Sequence, residues 1–283
     1  KLMKHHPMPV IVVSSLAQRN SDAAVRALAL GAVDVIAKPG AAYSVPEVGR
    51  ELVRAIRAAA SARLVVPCAI PSEAGPPAPA FGLRTTHAIL AIGASTGGTK
   101  AIEAVLTRLP ADTPGTVIAQ HMPAGFTTSF AARLNQLCAM EVREAADNDL
   151  VSPGVALIGP GNYHLRLHRS GASYSVRVKK GPPVHHQRPS VDVLFQSVAA
   201  CAARNAVGVI LTGMGADGAS GLLAMRTAGA HTVAEAEESC VVFGMPREAI
   251  RLGAATEIVP LPGVADAIVA ALRNREARSL STV

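Results

Sequence analysis

Three short segments each place one reactive side chain at a turn just after a β-rich run. Ile92-Gly93-Ala94-Ser95-Thr96-Gly97-Gly98 sets Ser95 in a G-x-S-x-G pattern with strand character before it and helix character after it. Glycines on both sides permit a sharp turn that lifts the hydroxyl out of the sheet, where it acts as a nucleophile once a base takes its proton. Ala119-Gln120-His121-Met122-Pro123 puts His121 at the end of the next strand, on the same sheet edge, where an imidazole can serve as that base. Leu211-Thr212-Gly213-Met214-Gly215-Ala216-Asp217-Gly218 offers Asp217, the single carboxylate of its loop, to hold the imidazole tautomer and stabilise an imidazolium.

Each segment also has a plainer reading. The Ser95 turn fits a phosphate loop or a helix start with Ser95 as N-cap, His121 fits a hydrogen-bonded loop residue, and Asp217 fits an Asx turn. Gly213-x-Gly215-x-x-Gly218 matches the dinucleotide fingerprint too, with Glu235 and Glu237 about 20 residues on, where a ribose-binding acid belongs. On pattern alone, nucleotide binding through Gly213 to Gly218 competes evenly with a triad. The fingerprint normally occupies the first βα turn of its domain, and nucleotide binding leaves Ser95 and His121 without a purpose; both points favour the triad. A non-catalytic signalling adaptor is a third reading.

Positioning these residues needs an α/β sheet. Val10–Ser14 and Val33–Ala37 read as strands, Asp22–Leu30 as a helix capped by Ser21, and Pro46–Ala60 as a helix with proline in its first turn. That is half of a doubly wound sheet. Residues 61–86, with the run PSEAGPPAPAFG, form a linker. A second unit, 87–283, continues with strands at Ala88–Ile92, Thr116–Gln120, Ala206–Thr212 and His231–Ala234. Helices are expected at Lys100–Leu109, Thr127–Leu137, Val191–Arg204 (capped by Ser190), Ala219–Ala228, Arg247–Leu252 and Val264–Arg273. Val155–Ile158, Tyr163–Leu167 and Ser173–Val178 form an antiparallel excursion with a hairpin turn at Ser170-Gly171. The fold class is α/β: a doubly wound, mainly parallel sheet with an antiparallel hairpin, preceded by a smaller α/β segment over 1–60.

Bulk properties bound the answer. The 283 residues are 49% hydrophobic and 17% charged without tryptophan, so the core is aliphatic, and no run of about 18 apolar residues or signal peptide is present. A cytoplasmic protein without membrane insertion is expected. Cys68, Cys138, Cys201 and Cys240 have no metal-ligand spacing and read as buried small hydrophobes. The formal charge of +7 favours an acidic partner but does not by itself point to nucleic acid. Lys1-Leu2-Met3 runs into a strand almost at once, as in a chain entered partway through.

IGASTGG, IAQHMP, RPSVDVLF, ILTGMGADG and CVVFGMPREAI, in this order and spacing, resemble the CheB-type chemotaxis protein-glutamate methylesterase family across nearly all of 88–272. The resemblance implies a triad of Ser95, His121 and Asp217, with the Met214 N–H and Thr96 lining the oxyanion site, and no metal or cofactor. It implies ester hydrolysis, and deamidation of glutamines, on the acidic cytoplasmic helices of methyl-accepting chemotaxis receptors. Arg166, Arg169, Arg177, Lys179, Lys180 and Arg188 are candidates for a basic rim, and Met122, Pro123, Phe126, Val242, Phe243 and Met245 for an apolar border. Residues 1–60 resemble the C-terminal half of a response-regulator receiver of the flavodoxin-like type. Ser14 stands at its signalling hydroxyl, and Lys38-Pro39 at its lysine and following cis proline. The phosphoacceptor aspartates are missing and none of Asp22, Asp34, Glu47 and Glu51 replaces them, so this chain is not expected to take phosphate, although a chemotaxis histidine kinase is the implied partner of the intact protein. A docked receiver inhibits by covering the cleft; with half of it absent, impaired regulation and exposed, aggregation-prone sheet edges are expected.

Overall fold

The computed structural model describes residues 2–15, 17–40, 44–63 and 88–280. Cys68 and most of the expected linker lie outside them. After a one-turn helix α1 (Leu2–His5), the chain forms β1 (Ile11–Ser14), α2 (Gln18–Ala29), β2 (Asp34–Ala37) and α3 (Val45–Ser61). Then come β3 (Ile89–Ala94), α4 (Gly98–Leu106), β4 (Thr116–Gln120), α5 (Phe126–Leu137), β5 (Glu141–Glu144) and β6 (Val155–Ile158). The hairpin β7 (His164–Ser170) and β8 (Ser173–Lys179) precedes α6 (Val191–Ala202), β9 (Ala206–Ile210), α7 (Ala219–Thr227), β10 (His231–Glu235), α8 (Met245–Arg251), β11 (Glu257–Val259) and α9 (Leu261–Leu280).

Seven strands, all parallel, make the main sheet in the order β11-β10-β9-β3-β4-β6-β5. Side chains alternate across a strand, so each central strand feeds two cores. Leu90, Ile92 and Ala94 of β3 face a cluster completed by α2, α4, α5 and α9, with Ile102, Phe130 and Ile268 at its centre. Ile89 and Ala91 face the other cluster, built by α6, α7, α8 and the hairpin around Phe195, Leu222 and Val176. Burying one such side chain fully is worth roughly 1.5–3 kcal/mol, so these two layers dominate the stabilisation. At Gly93 a Cβ would lie 2.1 Å from Val191 Cγ1; only a bare backbone lets the start of α6 press this close to β3.

The N-terminal segment is a two-stranded parallel sheet, β1 with β2. Such a pair is not stable alone. Here Ala24, Val25, Leu28, Val35 and Ala37 join the same core as α4 and α5, so its apolar face is covered rather than left open.

Several expectations are corrected. Helix α2 begins at Gln18 with Ala17 at its N-cap, and the Ser21 hydroxyl donates to Ala17 O at 3.3 Å inside the first turn. Ser44 caps α3 in a capping box with Glu47, one residue ahead of Val45 and Pro46. Among the described residues the cis peptide is Arg188–Pro189, not Lys38–Pro39, which keeps the trans form that X–Pro bonds intrinsically favour. Strand β6 lies between β4 and β5 in the parallel sheet and does not belong to the hairpin. Strands β5 and β11, both at sheet edges, were not expected at all.

Candidate active site

The strand order turns back on itself at β3 and β9: successive strands run outward from β3 through β4 on one side and from β9 through β10 on the other. Ligand crevices open at such a switch point, beyond the C-terminal strand ends. Ser95 is the first residue past β3, and His121 the first past β4. Ala94 and Gln120 are register partners, and the His121 N–H donates to Ala94 O at 3.1 Å. The Ser95 N–H donates to Thr212 O at 3.0 Å, which ties the serine to the end of β9. The Gln120 side-chain amide donates to Ser95 O at 2.9 Å and holds the turn from the other side. At Gly213 a Cβ would fall 2.7 Å from Ser95 Cβ and 2.3 Å from Met245 Sδ, so glycine there leaves the serine its place.

His121 Nε2 lies 2.7 Å from Asp217 Oδ2, with both side chains almost wholly buried. Asp217 is in turn gripped by the N-terminus of α6: Oδ1 accepts the Ser190 hydroxyl at 2.7 Å and the Asp192 N–H at 3.0 Å, and Oδ2 the Val191 N–H at 2.8 Å. Burial raises this carboxyl, but the His121 bond and charge, the Asp192 amide and the Ser190 hydroxyl outweigh it, and its pKa falls below the ordinary value. Unpaired N–H groups and the positive end of the α6 dipole explain why an ionised carboxylate is tolerated here. With Nε2 committed to Asp217, Nδ1 is the ring nitrogen left to take a proton. The Ser95 hydroxyl is buried with no hydrogen-bond partner among the described residues.

A cavity of about 150 Å³ lies beside His121, walled by Met122, Pro123 and Arg188 on one side and by Ile36, Glu51 and Arg54 on the other. The N-terminal segment therefore closes over the site. Arg54 donates to Asp34 Oδ2 and to Thr96 Oγ1, both at 3.2 Å, and the Thr96 hydroxyl donates to the same Asp34 oxygen at 3.0 Å. Gln187 reaches Glu51 at 3.3 Å, and the Gly97 N–H reaches Val33 O at 3.3 Å. Thr96 is thus held by β2 and α3, while the Met214 N–H has no backbone acceptor among the described residues.

The other candidates divide. Among the rim residues, Arg188 lines the cavity, whereas Lys179 pairs with Asp147, Arg177 bonds Asn148, Arg169 lies over Tyr174 and Lys180 over Tyr163. Met122 and Pro123 do border the cavity, but Phe126 and Met245 are core. Cys240 is buried and Cys138 and Cys201 are only half-buried. Ser14 ends β1 opposite Ala37, and its carbonyl accepts the Lys38 N–H at 2.8 Å. Glu235 is fully buried on Thr212 and Ser239, and Glu237 pairs with Arg63, so neither acid is free for a ribose. Ligand atoms of His185, Asp192 and Asp217 come within 4.8 Å of one another; Asp217 is taken up by N–H and O–H donors, and Asp192 accepts the Gly221 N–H on Oδ1, with His185 Nε2 3.0 Å from its Oδ2. Sequence reasoning missed Arg54, Asp34 and Gln120 as neighbours of the site and saw Ser190 only as a cap. Nothing local marks them.

A parallel α/β sheet that brings a serine, a histidine and an aspartate to its switch point is the arrangement that serine hydrolases use. Residues 90–268 match the family described as CheB methylesterase, and the chain belongs to that family. It is 55% identical over 273 residues to protein-glutamate methylesterase/protein-glutamine glutaminase 2 of Syntrophus aciditrophicus (95% of this chain, 79% of the relative). It is 51% identical over 283 residues to protein-glutamate methylesterase/protein-glutamine glutaminase of Salmonella typhi (98% and 79%). The fold is similar to the crystal structure of the Thermotoga maritima CheB methylesterase catalytic domain, with TM-score 0.64 and 35% identity over 65% of this chain and 98% of that one.

Proposed function

We propose that this chain hydrolyses glutamate methyl esters on chemotaxis receptors, releasing methanol, and deamidates receptor glutamines through the same acyl-enzyme. Ser95 attacks the ester carbonyl while His121 Nδ1 takes its proton; Asp217 holds the ring by Nε2 and stabilises the imidazolium. The proton then passes to the leaving methanol or ammonia, and a water activated by His121 releases the glutamate. The Met214 N–H meets the oxyanion, with Thr96 as a second donor once Arg54 and Asp34 let it go; one such donor is typically worth about 10² or more in rate. The observation that carries this reading is the buried 2.7 Å His121–Asp217 pair beside an unpartnered Ser95 hydroxyl.

In this reading residues 1–60 are the C-terminal half of a receiver, 61–86 a linker and 87–283 the catalytic domain. The receiver half sits on the catalytic cleft as an inhibitor, and a chemotaxis histidine kinase acts on the intact protein. A cytoplasmic setting agrees with receptor helices as substrate; among the described residues no helix is long and apolar enough to cross a membrane. The test is methanol release from methylated receptor membranes by the wild type and by Ser95→Ala. Release by the wild type and none by a folded variant is expected; equal release from both sinks the serine mechanism.

A further inference from the structure

Glu235 takes no part in the chemistry above, yet its carboxylate is fully buried at the C-terminal end of β10, one strand away from the Asp217 loop. Oε2 accepts the Thr212 N–H at 2.8 Å, and Oε1 accepts the Ser239 hydroxyl at 3.0 Å. Thr212 is the residue whose carbonyl receives the Ser95 N–H, and whose hydroxyl joins Thr96 O at 3.0 Å to the Val242 N–H at 2.9 Å. A single side chain therefore anchors the residue to which the serine turn is tied. Hydrogen bonds in such a chain polarise one another, more so in a dry interior.

Both protonation states of Glu235 fit this place. Ser239 Oγ also lies 3.2 Å from Ala236 O and accepts the Leu261 N–H at 2.9 Å, so it can turn its hydrogen to Ala236 and accept from the acid instead. The Thr212 N–H keeps an oxygen acceptor either way, but a charged acceptor binds roughly twice as strongly as a neutral one. Burial pushes the Glu235 carboxyl up to about 7 against the pull of Thr212, Ser239 and Cys240. Around it, the Cys240 thiol is itself raised by burial and by Glu235, and Arg63 and Glu237 pair with each other further out.

We propose that Glu235 is a positioning residue for the acyl-transfer reaction: its carboxylate holds Thr212, and through the Thr212 carbonyl the Ser95 turn, in reactive geometry, and protonation loosens that hold. The proposal rests on Ser95 being the nucleophile. It is tested on the full chain by following the Thr212 and Ser95 amide resonances, and kcat and KM for methanol release, from about pH 5 to about pH 9 in wild type, Glu235→Gln and Glu235→Ala. Expected are amide shifts of both residues with a common midpoint of about 7 in wild type and none in Glu235→Gln. That variant should lose one ionisation step from its kcat profile, run a few-fold below wild type at the alkaline end and keep its KM. Glu235→Ala should lose about tenfold or more in kcat. Superimposable kcat profiles for wild type and Glu235→Gln, or amide shifts that titrate equally in both, overturn the proposal. Failure of the Ser95 reading looks different: wild type then releases no methanol at any pH, and the amide titration alone decides, a joint midpoint keeping the positional claim and its absence ending it.

Discussion

An unpaired buried hydroxyl usually costs about 1–3 kcal/mol, so in the proposed reading the Ser95 Oγ, which has no partner among the described residues, gives up stability for chemistry. Glu235 carries a similar tension, and its sign can be worked out. The carboxyl is raised from 4.5 to about 7 on folding. Below pH 4.5 both folded and unfolded chains are protonated and its full relative contribution to stability is present. That contribution is lost as pH rises from 4.5, where the unfolded chain ionises first, and the loss is complete once pH has passed the folded value of about 7, about 3 kcal/mol in total. Denaturant melts at pH 5 and pH 8 should show a wild type weakened by roughly this amount on the alkaline side, with Glu235→Gln nearly level; parallel losses in both proteins refute the assignment. Activity and stability thus pull the same carboxyl in opposite directions. At this scale Ser95, His121 and Asp217 were legible because each sits in a local strand-to-turn pattern. Glu235 was noticed as a ribose acid, since spacing records its distance from Gly213 but not that its side chain turns into the sheet.

The element that makes the constellation work is α6. Its first N–H groups and its capping hydroxyl converge on Asp217, so a helix start that looks like ordinary capping is also the clamp on the aspartate. Replacing Ser190 by alanine removes a cap worth about 1 kcal/mol of stability and one of the bonds to Asp217. Thermal melts should register the first loss, and the second should appear as a kcat reduced about tenfold with KM little changed; unchanged kcat would confine Ser190 to capping. Central strands were readable from apolar runs and the start of α6 from its Ser190 cap, but the starts of α2 and α3 were not. Edge strands were not: β5 carries Glu141, Arg143 and Glu144, the charges that edges tolerate and that erase a strand pattern. Strand β6 was recognised as a strand but assigned to the hairpin, because four apolar residues fit either sheet and only pairing with β4 and β5 decides.

Across the whole molecule, the N-terminal segment shares a core with α4 and α5 and pins Thr96 through Arg54 and Asp34. Arg54→Gln combined with Asp34→Ala should release Thr96, which both side chains hold, and uncover the cavity by His121, raising methanol release by up to about tenfold, the equivalent of one charged hydrogen bond. A rate that stays level in a folded variant would show that this contact does not restrain catalysis. The shared core covers the apolar side of β2 and α2 against the larger unit, while among the described residues β1 and β2 pair as strands only with each other, which leaves the edges that the sequence led one to expect. By itself the sequence determined the alternating α/β pattern and the family, and it singled out the three residues proposed to carry the chemistry, because periods and strand-end motifs are local and each is written in a few adjacent positions. Only the tertiary structure decided that β6 is parallel, that α6 holds Asp217, that Glu235 accepts the Thr212 N–H and that Arg54 reaches Thr96 and Asp34. The side-chain hydrogen bonds among them join residues 20 to 42 positions apart, from Arg54 with Asp34 to Arg54 with Thr96, and hydrogen bonds across such spans are fixed by how the layers pack, which no local pattern encodes.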